Sequence, residues 1–332
     1  MKDLIKKLTE INSPSGREKK IREIIIDEIK EYVDEYKVDK LGNLIAIKKG
    51  SGEKTILFDA HMDEIGLVVT HITDSGFLRV EPVGGVNPKV LIGAKVQFNG
   101  HIGVIGFEGE TMEEYSKNMN NLSFDVLFVD IGVSSKEEAE KIAPIGTFGT
   151  YYAQFNDLGD KVISKALDDR IGCAIMIEAI KRIDTPKNTI IFAFTVQEEV
   201  GLIGASVAGY NYDIDMAIAL DVTASADTPK AFKRMSMKLN EGPCIKIKDG
   251  YTVSDKFVVD TLKEVAEKNN IKYQMEVLLF GGTNAGGYQT TKSGIPSGTI
   301  SIPTRYIHTP HEMVSIADVE ETVKFVVALS NN

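Results

Sequence analysis

Two textures alternate along the chain. Over residues 1–65 and 154–332, apolar positions recur at helical spacing or as short unbroken runs, whereas residues 66–153 break into brief β-like segments cut by Gly, Pro and Asn. In the first texture, MKDLIKKLTEI places Leu4, Ile5, Leu8 and Ile11 on one helix face. Residues 15–36 read as a long amphipathic helix, with Ser15 and Glu18 as a capping-box pattern and Ile21, Ile24, Ile25, Ile29 and Val33 as its stripe. LGNLIAIKKGSGEKTILFDAHMDEIG then predicts a hairpin-like pair and a strand over 55–60 that runs into His61 and Asp63. Farther along, a helix is expected over 169–183, then the strands TIIFAFTV and MAIALDV and a helix over 254–268. The strand YQMEVLLF, a helical segment after Gly282, the strand SGTISIP and a last helix capped at Ser315 with Asp318 complete the series.

Continuous apolar strands interleaved with helices imply a sheet covered on both faces. The expected fold class is therefore α/β, a mixed but mostly parallel sheet flanked by helices. In 66–153, the runs VVTHI, FLRVEPV, KVQFNGHIGVIG and FDVLFVDIG are joined by turns, with one helical stretch near SSKEEAEKIA. That segment is expected to be a small β-rich domain inserted into a single α/β domain formed by 1–65 and 154–332.

Composition narrows the class. The 332 residues suffice for two such units, and no apolar run approaches the roughly 20 residues that span a bilayer. The first residues lack a signal-peptide apolar core and a small-residue cleavage site, so the expected compartment is the cytoplasm. A formal charge of −10 argues against nucleic acid or an anionic membrane as partner, since either needs a basic field. Cys173 and Cys244 are too few and too far apart for a disulfide framework or a thiolate zinc site, and are read as reduced core residues.

Candidate chemistry gathers at strand ends, where open α/β sheets bind ligands. His61 and Asp63 follow ILFDA, Glu198 and Glu199 follow FAFTVQ, Asp221 follows MAIAL, His308 lies beyond TISIPTRY, and Asp168 and Asp169 open the helix at 169. A donor set of imidazole and carboxylate without thiolate suits zinc, manganese or cobalt. Two histidines and three or more carboxylates exceed the needs of one tetrahedral catalytic zinc, but two metals sharing a carboxylate would use them. Such ions sit roughly 3.5–4 Å apart and share a water acidified towards neutrality, and a separate carboxylate must then carry its proton. Adjacent glutamates meet that need if one binds metal and the other stays free.

Each signal also has a plainer reading. A glutamate pair at a strand end can be a solvated helix start, His61 and Asp63 an ordinary hydrogen-bonded pair, and Asp168 a helix cap. Joint placement is what favours chemistry. His71 and His101 fall in the insert and read as surface or packing residues, and His311 as exposed or supporting.

On these residues the chain resembles the di-metal aminopeptidases that include the tetrahedral, glutamyl and deblocking aminopeptidases, some of whose members carry endoglucanase names. The matching stretches are AHMDEIG, KALDDRIG, QEEVGLIGA, ALDVT, GGTNAGG and IPTRYIHTPHEM, in that order over essentially the whole length. The resemblance implies that His61, Asp168 and Asp221 hold one metal and Asp168, Glu199 and His308 the other. It further implies that Glu198 is the general base and that Asp63 orients His61. It implies two divalent ions, zinc or cobalt, peptide substrates trimmed from the N-terminus, and an insert that makes dimers, which build a homo-oligomeric tetrahedral dodecamer. Ile203 and Asn284 depart from the family pattern, which has arginine after EEVGL and aspartate in the GGTDA-like motif; neither is a ligand in this scheme. Two rival readings are a glycoside hydrolase of endoglucanase type, which leaves the histidines idle, and a catalytically silent metal-binding assembly protein.

Overall fold

The computed structural model describes residues 1–332. An 11-stranded mixed sheet forms its larger body. Across it run Glu35–Val38, Leu44–Lys48, Thr189–Thr195, Thr55–His61, Met216–Ala224, Ser297–Arg305, Glu312–Ser315, Lys161–Ser164 and Asn156–Asp157. Cys244–Lys248 and Gln274–Val277 branch from Ser297–Arg305.

The central strands are apolar on both faces, as strands buried between helical layers must be. Phe58 and Phe192 stack at 5.7 Å and pack with the helices Lys2–Thr9, Lys19–Ile29, Leu167–Arg182 and Ile316–Ser330. Their neighbours Leu57 and Ile191 point the other way, into a second core with Ala205, Ala217 and Tyr288. Thr55–His61 runs parallel to Thr189–Thr195 and Met216–Ala224, and the latter parallel to Ser297–Arg305. His61 sits opposite Thr195 and Asp221 opposite Ser301, so these carboxyl ends form one edge.

Between Gly66 and Tyr151 the chain closes a separate barrel from Gly66–Ile72, Leu78–Val83, Leu127–Asp130, His101–Phe107, Lys95–Phe98 and Phe148–Tyr151. It has its own core, including Leu67, Val80, Val96, Phe98 and Val129. The body is thus α/β with an inserted β-rich unit. No helix is long and apolar enough to cross a membrane.

Several local expectations need correction. The helix expected over 15–36 covers only Lys19–Ile29, and Glu35–Val38 is instead a strand paired with Leu44–Lys48. Ser15 does not cap it, because its hydroxyl donates to Asp63, while Glu18 accepts from the backbone N–H of Gly16 and Gln197. Leu44–Lys48 pairs with Glu35–Val38 and not with Thr55–His61, since Thr189–Thr195 lies between Leu44–Lys48 and Thr55–His61. Asp318 accepts from the Asn240 and Gly242 amides, and Ser315 gives the last helix no side-chain cap. The strand expected over 273–280 stops at Val277. The insert carries a second helix, Met112–Asn120, capped by Thr111.

Arg170 ties the N-terminal segment to the strand edge. Fully buried, its guanidinium donates to the carbonyls of Met62 at 2.7 Å, Leu8 at 2.7 Å, Ile11 at 3.2 Å and Ser13 at 3.4 Å. Glu64 lies 3.5 Å from it and 2.6 Å from Lys165, a single carboxylate shared by two buried cations. Arg170→Met leaves buried acceptors without donors and is expected to cost about 3–5 kcal/mol, read as a lower midpoint in urea or thermal unfolding. An unchanged midpoint would remove the clamp from the account of stability.

Candidate metal centre

Five segments bring their side chains to the common edge. His61 ends its strand, Asp221 lies in Met216–Ala224, Glu198 and Glu199 lie just past Thr195, and His308 lies beyond Arg305. Asp168 sits at the head of Leu167–Arg182, where Asp168 and Asp169 are non-helical. Asp168 is central: its Oδ1 lies 3.1 Å from His61 Nε2, and its Oδ2 lies 3.2 Å from His308 Nε2. Glu199 Oε2 approaches His308 Nε2 to 3.3 Å, and Glu198 Oε2 approaches His61 Nε2 to 3.8 Å.

Both imidazoles are held in the same tautomer. His61 Nδ1 is 3.2 Å from the Asp63 carbonyl and His308 Nδ1 is 3.0 Å from the Gly85 carbonyl. A carbonyl only accepts, so each Nδ1 carries a hydrogen and Nε2 is the ring atom presented to the carboxylates. This is how metal-binding histidines are normally oriented.

Electrostatics point the same way. Burial and then the charges of neighbouring carboxylates push Glu198 well above its usual range, His61 opposing them. Burial followed by Asp168 raises Asp221 to about 8. Burial opposes charging of His308, yet Glu199 and Asp168 outweigh it and push its pKa up to about 12. Asp168, despite burial, is held well below the usual carboxylate range by His308 and His61. So much buried like charge is what a bound cation relieves. Glu199 Oε1 is buried with no hydrogen-bond partner, an open donor position in the same place.

The residues therefore fit divalent metal. Three groups have ligand atoms within 4.8 Å of one another: His61, Asp168 and Asp221; Asp168, Glu199 and His308; and His61, Glu198 and Glu199. The first two share Asp168 and between them use every residue read as a ligand from the sequence. The third overlaps both and adds only Glu198.

Supporting residues fix this geometry. Asp63 Oδ1 accepts from the Glu198 amide at 3.0 Å, and Oδ2 accepts from the Glu199 amide at 3.2 Å and the Ser15 hydroxyl at 2.6 Å. Asp63 Oδ1 also lies 3.4 Å from His61 Nδ1. Asp169 accepts from the His61 amide at 3.2 Å.

Sequence reasoning missed Ser15, Glu312 and Gly85. Glu312 accepts from the Asp168 amide at 3.0 Å and the His308 amide at 2.8 Å, joining two segments that each deliver a donor. Gly85 comes from the insert, and a Cβ there would stand 2.8 Å from the His308 ring. The adjacent glycines in PVGGVNP were the available signal for such a close backbone approach. Of the remaining histidines, His71, His101 and His311 are exposed and in none of these groups.

Asn284 is buried beneath the edge. Its Nδ2 donates to Asp59 Oδ1 at 2.7 Å and Thr195 Oγ1 at 2.8 Å, while the Tyr288 hydroxyl donates to Asp59 Oδ2 at 2.7 Å. Ile203 is partly exposed at the start of the helix Ile203–Ala208. Neither belongs to a candidate group.

Comparison with known proteins identifies the family. Residues 42–325 match the family model described as M42 glutamyl aminopeptidase. A relative in Acetivibrio thermocellus is 49% identical over 328 residues, covering 98% of this chain and 97% of that protein. The lysyl aminopeptidase of Pyrococcus furiosus is 38% identical over 336 residues, covering 98% of this chain and 96% of its own. The solved Pyrococcus horikoshii TET1 peptidase, which can assemble into a tetrahedron or a large octahedral shell, matches with a TM-score of 0.88 at 38% identity over 99% of each chain. With family model, full-length relatives and fold in agreement, the chain belongs to the M42 glutamyl aminopeptidase family and is a hydrolase of peptide bonds.

Proposed function

We propose that this aminopeptidase works with two divalent ions, zinc or cobalt, with manganese also compatible with the donors. His61, Asp168 and Asp221 would hold one, and Asp168, Glu199 and His308 the other. The observation that carries this reading is the Asp168 carboxylate, whose two oxygens face two different histidines. Bound there, the ions supply Lewis acidity to the scissile carbonyl and acidify a water.

Glu198 is the carboxylate left over once both sets are filled. It sits 3.8 Å from His61, nearly buried, where it takes the proton of the attacking water and passes it to the departing amine. Asp63 positions it through the backbone, because the same carboxylate holds the Glu198 and Glu199 amides and flanks His61. Both histidines face the carboxylates, an arrangement a glycosidase acid pair has no use for. The barrel is read as the dimerisation domain of a homo-oligomer, with the tetrahedral assembly of the TET1 peptidase as precedent. Light scattering at the mass of a dimer or dodecamer supports it, and a monomer counts against it.

Glu198→Gln is expected to keep the fold and both metals while lowering kcat about 100-fold or more. Glu199→Gln is expected to reduce bound metal as measured by elemental analysis. Equal metal loss in the two variants contradicts the division of labour. Gly85→Ala should also weaken metal binding, because its Cβ must displace the His308 ring; unchanged affinity would show that the ring can yield.

A further inference from the structure

We propose that this enzyme selects peptides whose N-terminal side chain is uncharged and apolar, of leucine, methionine or phenylalanine size, over N-terminal glutamate and lysine. This specificity rests on the aminopeptidase reading of the site. A cavity of about 620 Å³ opens beside the carboxylate cluster. The charged side chains lining it are Asp168, Glu198, Glu199, Asp221 and His308, and every one belongs to the candidate metal groups. The rest of the wall is formed by side chains such as Leu202, Val222, Tyr251, Leu278, Phe280 and Ile307, with no Lys or Arg and no further Asp or Glu.

Each charged alternative fails for want of a partner. An N-terminal glutamate needs a cation, yet the buried Lys246 on the neighbouring strand Cys244–Lys248 is tied to Glu276 at 3.0 Å and Asp249 at 3.4 Å. An N-terminal lysine needs a free acid. Of the four lining carboxylates, Asp168, Glu199 and Asp221 would be taken up by the two ions and Glu198 by the attacking water, so none is left to pair with a lysine side chain. A charged side chain entering here surrenders water without gaining a pair, whereas an apolar one gains contact. The Tyr251 ring lies against the glycine turn, where a Cβ on Gly282 would stand 2.8 Å from it.

The test uses full-length protein reconstituted with zinc or cobalt and the p-nitroanilides of leucine, methionine, phenylalanine, glutamate and lysine. Calorimetric binding of leucinamide, glutamic acid α-amide and lysinamide to the Glu198→Gln protein runs in parallel. Leucine is expected to exceed glutamate and lysine by about tenfold or more in kcat/KM, and leucinamide to bind tightest. Phe280→Arg, on the half-exposed rim, should move the glutamate-to-leucine ratio by about tenfold towards glutamate. Preferred cleavage of glutamate or lysine, or a ratio unmoved by Phe280→Arg, overturns the specificity while leaving the aminopeptidase intact. Selective binding of leucinamide with no turnover of any substrate does the reverse, and absence of both sinks the two readings together.

Discussion

Concentrated negative charge in a nearly dry strand edge governs this molecule. Burial and the Asp168 charge raise the proton affinity of Asp169, Glu198, Glu199 and Asp221, while Asp168 itself is held ionised by the two imidazoles of the site. Such a group is unstable unless its geometry is imposed from outside and its charge is met by cations. The surrounding architecture supplies that geometry. Backbone amides around the site are held by acids, those of Glu198 and Glu199 by Asp63 and those of Asp168 and His308 by Glu312. Each acid that braces the backbone leaves another acid free to face inward.

The large body was legible in the sequence because a parallel sheet imposes two strong patterns at once. Its strands are apolar on both faces, and its functional residues follow the apolar run at the same end of each strand. Hence His61, Glu198, Glu199 and Asp221 could be placed from their neighbours alone, and the family resemblance supplied the roles. What failed was pairing and capping. Leu44–Lys48 and Thr55–His61 are close in sequence, but a strand 130 residues further on separates them, and nothing local encodes that. Ser15 and Glu18 carry groups that suit a helix start, yet the amides and acids they serve belong to other segments. Sequence shows what a side chain can bond, not which partner the fold will bring.

The helix Met112–Asn120 was missed for a different reason. Its apolar positions Met112, Tyr115 and Met119 are exposed and join neither core, so they form only a thin stripe among polar residues; the helix is held by its Thr111 cap and by Tyr115 against Phe107, their ring centres 4.5 Å apart. Glu312 and Gly85 were missed because their work is done on other residues' backbones and rings. Positions of that kind carry no chemical signature of their own.

The contact between Gly85 and His308 makes the two separately packed cores jointly responsible for one reaction centre. His308 is delivered by the sheet but held in register by a carbonyl from the barrel. A protomer in which either unit has folded without docking on the other lacks the carbonyl that orients the His308 ring. With His308 as a ligand in the proposed scheme, metal uptake would then report the docking of sheet and barrel within the single chain.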